Sequence, residues 1–179
     1  VSGWFSFPGA PGDRTFEQQM MGLRPWLAEL CHKKTILDFG CAEGLIGIEM
    51  LKAGATYVHG IELVPERVKH ARQLARGFAS LYEVGDANDW RPAKEYDVTL
   101  ALAILHKLRD PTTVAKRLAQ HTREHLVVRL PPAGAVIVDV RSNRVPHDIT
   151  AAVREVGFAL ERATNDGPLG EFIAVYRRV

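Results

Sequence analysis

Hydrophobic positions along this chain come in two rhythms. Short apolar runs bounded by turn residues fall at 35–39, 57–62, 80–84, 96–104, 125–130, 158–164 and 171–178. These predict β-strands, and the nearly continuous run 96–104 (YDVTLALAI) predicts a strand buried on both faces in the middle of a parallel sheet. Between them, apolar positions recur with helical spacing. Leu45, Ile46, Ile48, Met50 and Leu51 form one such stripe, and Val68, Ala71, Leu74, Ala75 and Phe78 form another. Two more helices are predicted over 111–121 and 146–157. Pro65, Pro111 and Pro146 stand at helix starts, and Gly157 marks the last stop. Residues 15–32 read as helical through Met20, Met21, Leu23, Leu27 and Leu30, with Pro25 marking a break or a second start. Residues 1–14 read as a loop whose Trp4, Phe5 and Phe7 pack on something, and 135–141 look extended.

Strand and helix alternate along most of the chain. Right-handed crossovers then give an α/β fold: a doubly wound, mostly parallel seven-stranded sheet with helices on both faces. The loop 165–170 is short enough for a hairpin, which predicts a C-terminal antiparallel strand. The expected organisation is a single domain, with residues 1–33 as an N-terminal loop and helix packing on a core formed by 34–179.

The stretch 35–62 carries the chemistry. A strand holding Asp38 runs into the turn Gly40-Cys41-Ala42-Glu43-Gly44, a helix follows, and a second strand stops at Glu62. This is how an α/β protein builds a nucleoside pocket at the carboxyl ends of its strands. A dinucleotide fingerprint requires G-x-G-x-x-G, but Ala42 replaces the middle glycine and Leu45 follows Gly44. No G-x-x-x-x-G-K-[ST] loop is present. Glu43 at the helix start would repel a phosphate and favour a cationic ligand.

The spaced set Asp38, Gly40 to Gly44, Glu62 and Gly85-Asp86-Ala87 resembles the motifs of class I S-adenosylmethionine-dependent methyltransferases. Ile104-Leu105-His106-Lys107-Leu108-Arg109-Asp110-Pro111 looks like the L-H-x-L-x-D-P that follows the fourth strand in many of them. The resemblance runs from about residue 34 to the end. It implies S-adenosylmethionine as cofactor and 34–179 as the domain that binds it. Asp38 would lie near the methionine end, with Gly40, Cys41, Ala42 and Gly44 passing close beneath it. Glu62 would accept bonds from both ribose hydroxyls, since a carboxylate offers two acceptor oxygens. Asp86 and the Ala87 backbone would meet the adenine, with Leu63 and Trp90 as apolar walls. Each acid also has an ordinary reading, as a cap, a surface acid or a turn residue. All three nevertheless fall at carboxyl ends of strands. His106 is the candidate catalytic base, because an unperturbed imidazole titrates near 6.5, and a structural histidine is the alternative.

Composition adds bounds. At 179 residues, 46% hydrophobic and 25% charged, the chain suits one domain with a sizeable core. No apolar run reaches the roughly 20 residues that span a bilayer, and no secretory signal pattern opens the chain, which predicts no membrane partner and a cytoplasmic location. Cys31 and Cys41 fit a reducing compartment, and no Cys/His spacing resembles a metal site. The net charge of +2 is uneven: residues 105–179 hold 12 Lys/Arg against 8 Asp/Glu. That skew admits RNA or a phosphorylated metabolite as partner, with Lys107 as a contact to an anionic substrate, though an ordinary solvated surface is the favoured reading, with Arg177 and Arg178 as edge charges and Lys107 solvated. Several acceptor classes lack their motifs. No [DNS]-P-P-[YFW] follows the fourth strand, there is no Pro-Cys nucleophile, and the ribose-methylating lysine–aspartate–lysine–glutamate set is not evident. The expected activity is methyl transfer to an unidentified acceptor, taken as a small molecule. A tRNA-type RNA-modifying enzyme or a non-catalytic methyltransferase-fold module are the alternatives. Oligomeric state is not legible.

Overall fold

The computed structural model describes residues 3–5, 12–132 and 145–179, the side chains of 3–5 and 145–147 excepted. The N-terminal part holds two three-residue strands, β1 (Gly3–Phe5) and β2 (Gly12–Arg14), which pair in parallel where a loop was expected. Pieces this short leave no alternation to read. The expected packing of Trp4, Phe5 and Phe7, and the extended stretch 135–141, lie outside the described residues and side chains.

The helical stretch 15–32 divides in two. Thr15 and Gln18 form a capping box that starts α1 (Phe16–Met20). Gly22, with φ +70°, turns the chain, and α2 (Arg24–Cys31) begins with Pro25 in its first turn. The main sheet is then built by β3 (Thr35–Phe39), β4 (Tyr57–Glu62), β5 (Ser80–Val84), β6 (Tyr96–Leu102), β7 (Thr122–Leu130), β8 (Phe158–Thr164) and β9 (Phe172–Arg178). Its order is β5-β4-β3-β6-β7-β9-β8, and β9 alone runs antiparallel to both its neighbours. The seven strands, the mostly parallel pairing and the closing hairpin are as expected from the sequence.

Two strand boundaries differ by more than one residue. β6 stops at Leu102 rather than at 104, because Ala103 takes φ +57° and swings the chain into a 3-10 turn, Leu105–Lys107. β7 starts at Thr122, three residues before the expected start at 125. Arg178 is not an edge charge either. β9 lies inside the sheet, and the Arg178 guanidinium donates to the carbonyls of Ala119 and Thr122.

Helices α3 (Leu45–Lys52), α4 (Pro65–Leu74), α5 (Pro111–Gln120) and α6 (Val145–Arg154) complete the winding. Strand residues alternate between two cores. Ile36, Val58, Val98 and Leu100 pack against α1 to α4, while Leu37, Phe39, Leu126 and Val128 pack against α5 and α6. Burying each such side chain contributes about 1.5–3 kcal/mol. The α4 stripe is shorter than expected: Val68, Ala71 and Ala75 are buried, but Leu74 and Phe78 are exposed.

Tyr82 on β5 fills the space beneath the turn after β3. A Cβ on Gly60 would stand 2.3 Å from its ring, one on Gly44 2.8 Å from the ring, and one on Gly47 2.9 Å from its hydroxyl. Three backbone segments therefore close around one aromatic side chain.

Candidate cofactor site

Parallel strands leave a crevice at their carboxyl ends, where the turns after β3, β4, β5 and β6 converge. A cavity of about 250 Å³ opens there, near the small end of ligand sites. Gly40 and Ala42 line it from the first turn. Glu62, Leu63 and Arg67 follow from the second, Asp86 and Ala87 from the third, and Ile104 and Lys107 from the fourth.

The first turn is shaped by positive φ at Gly40 (+82°), Ala42 (+50°) and Gly44 (+76°). The N–H groups of Gly40 and Cys41 both donate to the Ile61 carbonyl, at 2.9 and 3.0 Å, which pins the turn against the end of β4. A Cβ on Gly40 would stand 3.0 Å from Ile104, so the turn also abuts the segment after β6. Ala42 holds the place of a middle glycine in a conformation that costs an L-residue about 1–2 kcal/mol.

Glu62 is the centre of the site. It is 8% exposed, its Oε2 accepts from the Ala42 N–H at 3.1 Å, and its Oε1 accepts from the Val64 N–H at 3.0 Å. Each oxygen has a second lone-pair direction, so the carboxylate is oriented and still able to receive two hydroxyls. Arg67 stands 3.7 Å from Glu62 and 3.6 Å from the buried Glu43. Glu43 is thus ion-paired rather than a bare charge at the helix start.

Asp86 is exposed, and its Oδ1 accepts from the backbone and side-chain nitrogens of Asn88 at 2.8 and 2.9 Å. These bonds hold its carboxyl below the ordinary carboxylate range. Oδ2 remains for a ligand N–H. The turn is braced from α5, where Arg117 donates to the Ala87 carbonyl at 3.0 Å. Leu63 lines the cavity and is 60% exposed, as an apolar wall awaiting a ligand would be. Trp90 does not join it. Its ring packs 6.0 Å from Phe39 and 5.6 Å from His59, and its N–H donates to Glu83 at 2.7 Å.

Other expected residues stand behind the lining. Asp38 is buried, and its Oδ2 has no well-formed hydrogen bond. Burial pushes its carboxyl up to about 7, with the Gly47 N–H opposing and the Glu62 charge adding. Cys41 is buried beneath the turn with its thiol driven far up, chiefly by burial, which suits a small space-filling residue. Gly44 serves as the N-cap of α3. His106 is 7% exposed and does not line the cavity. Burial, then the charges of Lys107, Arg129 and Arg14, depress its imidazole to about 4. The expectation of titration near 6.5 therefore does not hold.

Beside His106, at the end of β7, Arg129 is 1% exposed. It donates to the Gln19 carbonyl at 2.7 Å and to the Gln19 side-chain oxygen. It also stands 3.3 Å from Glu171, which in turn pairs with Arg14 at 2.8 Å. This cluster ties the N-terminal segment to the sheet. Arg67, Arg117 and Arg129 were not singled out from the sequence, because only the strand order reveals their partners. Among the described residues no group of three or more His, Cys, Asp or Glu is placed to hold a metal, and no helix is long and apolar enough to cross a membrane.

Known proteins resemble the chain in sequence and in fold. Residues 36–125, half of the chain, match the family described as methyltransferase domain. The ribosomal protein L11 methyltransferase of Laribacter hongkongensis is 31% identical over 99 residues, covering 55% of this chain and 32% of that protein. The Aeromonas hydrophila enzyme of the same name is 37% identical over 79 residues, covering 43% and 27%. The matches thus span about a third or less of those relatives' length. In fold, magnesium protoporphyrin IX methyltransferase from Synechocystis, solved with S-adenosylhomocysteine, superposes with a TM-score of 0.75 at 20% identity, over 95% of this chain and 90% of that one. A Mesorhizobium loti S-adenosylmethionine-dependent methyltransferase gives 0.69 at 17% identity, over 86% and 96%. The chain belongs to the methyltransferase-domain family, and the resemblance to class I S-adenosylmethionine-dependent enzymes read from its motifs is borne out.

Proposed function

We propose that this member of the methyltransferase-domain family binds S-adenosylmethionine across the cavity and transfers its methyl group to a small-molecule acceptor. The observation that carries the reading is the Glu62 carboxylate, buried at the cavity wall and oriented by one backbone N–H group on each oxygen, with Arg67 3.7 Å away. That geometry suits a ribose diol. Asp86 Oδ2 suits an adenine amino group, with Leu63 against the ring face. Gly40 and Ala42 let the methionine portion lie close to the backbone, above the buried Asp38.

The bound sulfonium supplies an electrophilic methyl carbon; the chain supplies alignment and exclusion of water. Asp38, its carboxyl raised to about 7, becomes more fully a carboxylate partner when an ammonium group comes beside it, because an opposite charge favours ionisation. With its imidazole near 4 and its ring behind the cavity lining, His106 is a poor candidate for the proton acceptor, and in this reading it is a structural histidine.

The choice of a small molecule over RNA rests on the basic residues of the C-terminal part. Among the described residues of that part, Arg117, Arg129 and Arg178 are turned onto carbonyls or a buried carboxylate of the chain itself, and Arg109, Arg123 and Arg162 pair with carboxylates at the surface. These six do not make an unpaired strip for a phosphate backbone. Calorimetric titration with S-adenosylmethionine, S-adenosylhomocysteine and NAD tests the cofactor. The first two should bind and NAD should not; absence of binding by both sulfur compounds would sink the reading. Transfer of label from methyl-labelled S-adenosylmethionine into RNA, with none into small molecules, would replace the acceptor assignment.

A further inference from the structure

We propose that Arg117, behind the cavity wall, is a positioning residue that makes the site selective for an amino purine, by fixing Asp86 through the peptide between Ala87 and Asn88. This rests on the placement of adenine against Asp86 given above.

The backbone of the turn is pinned on either side of Asp86. The Gly85 N–H donates to the Glu62 carbonyl at 2.9 Å, and the N–H groups of Asp89 and Trp90 donate to the Asp86 carbonyl at 3.0 and 2.7 Å. The Asp86 carboxylate is oriented by Asn88, whose backbone and side-chain nitrogens both donate to Oδ1. That backbone N–H shares a peptide plane with the Ala87 carbonyl. Arg117 donates to the Ala87 carbonyl at 3.0 Å and to the Asn88 carbonyl at 3.3 Å. A cation on a carbonyl oxygen draws electron density toward it and leaves the N–H at the other edge of the plane a stronger donor. Arg117, the 87–88 peptide and Asp86 Oδ1 thus form one chain of hydrogen bonds, and Oδ2 lies outside it.

Arg117 is buried, and its bonds go to these carbonyls instead of to a carboxylate. Its Nε is buried without a hydrogen-bond partner. Burial, then the charge of Arg91, holds the guanidinium below the ordinary arginine range, and Asp89 opposes. Keeping a cation in such a place is costly, and the turn is what it acts on. With the Ala87 and Asn88 carbonyls taken, the turn presents Asp86 Oδ2 to position six of a purine. An amino group there donates to it. A 6-oxo group sets its lone pairs against a carboxylate.

The test compares S-adenosylhomocysteine with S-inosylhomocysteine, its 6-oxo counterpart, on the whole chain. Wild type should bind the amino compound about tenfold or more tighter. Arg117→Met should shrink that ratio several-fold, and Arg117→Lys, a point charge in place of a fork, should leave a ratio between the two. In the unliganded chain the Asp86 carboxyl, followed by carbon NMR, should titrate higher in Arg117→Met than in wild type, nearer the ordinary carboxylate range. A wild-type ratio, or equal losses of both ligands, in folded Arg117 variants overturns the proposal, as does an unmoved Asp86 titration. Should Arg117→Met fail to unfold cooperatively in urea, Arg117→Lys decides alone, by a ratio below that of wild type or equal to it. Asp86→Ala should erase the ratio. If it does so while the Arg117 variants keep theirs, this proposal alone fails. If the ratio survives Asp86→Ala, or wild type shows none, the adenine placement fails and takes the proposal with it.

Discussion

Replacing Glu62 by alanine removes a carboxylate that does two jobs at once. In the folded chain its oxygens accept from Ala42 and Val64 at 3.1 and 3.0 Å. With cofactor bound, the same oxygens would accept from two ribose hydroxyls. Hydrogen bonds to a charged group contribute about 1.5–3 kcal/mol each, but water enters the space left by the side chain and compensates in part. A net loss of about 1.5–3 kcal/mol for the pair follows, or roughly 10- to 150-fold in Kd. Calorimetric titration with S-adenosylhomocysteine measures it, and a urea melt of the unliganded variant separates lost affinity from lost fold. The 2′-deoxy analogue sharpens the test. It should bind the wild type more weakly than S-adenosylhomocysteine does, and Glu62→Ala should cost it less affinity than it costs S-adenosylhomocysteine, because one of the two hydroxyl bonds is already gone. A well-folded Glu62→Ala chain with unchanged affinity, or fully additive losses in that cycle, would refute the placement of the ribose.

Ala42→Gly should stabilise the unliganded chain by about 0.5–1 kcal/mol, since it relieves a left-handed φ of +50° that exceeds the entropy glycine adds to the unfolded state; a lower urea midpoint would contradict this. His106 and Asp38 should tilt the pH dependence of stability in opposite directions. Between about pH 4 and 6.5 the unfolded chain carries a His106 proton that the folded chain lacks, so this contribution rises with pH; His106→Gln should flatten it by up to about 3 kcal/mol. Between 3.8 and about 7 the folded chain carries an extra proton on Asp38, so that contribution falls as pH rises, and Asp38→Asn should remove the decline. Urea midpoints near both ends of each window read these slopes, and slopes unchanged from wild type would count against both assignments. Arg129→Ala should cost about 1–3 kcal/mol by leaving the two Gln19 oxygens buried with unmet acceptors while Arg14 keeps Glu171 paired, and adding Glu171→Ala should cost less than the sum of the single changes.

The parts of the site that were legible in the sequence are those fixed locally. Asp38, Glu62 and Asp86 announce themselves because each lies within two residues of the carboxyl end of a strand. The glycine turn is legible because positive φ favours a particular residue type, even with Ala42 as the exception. What escaped depends on partners far along the chain. Arg129 meets Gln19 across 110 positions, and Arg117 reaches the Ala87 carbonyl across 30. A buried arginine and a surface arginine look alike until register is known. Trp90 was assigned to the ligand because tryptophan suits adenine; the Glu83 carboxylate and the faces of Phe39 and His59 take it instead. The N-terminal strands are too short for any periodicity, and the Ala103 bend overrode an apolar run that would otherwise have continued.

The tyrosine beneath the glycine turn has a consequence for how such a chain diverges. Gly44, Gly47 and Gly60 belong to a turn, a helix and a strand, yet all three meet the Tyr82 ring or its hydroxyl. A methyl group gained at any one of them is admissible only after the aromatic shrinks, and a smaller residue at 82 leaves a void until a glycine gains a side chain. Four positions spread over some forty residues are thereby bound into one heritable unit. Among descendants of this sequence they should change together or remain as they are, while the outer loops drift freely.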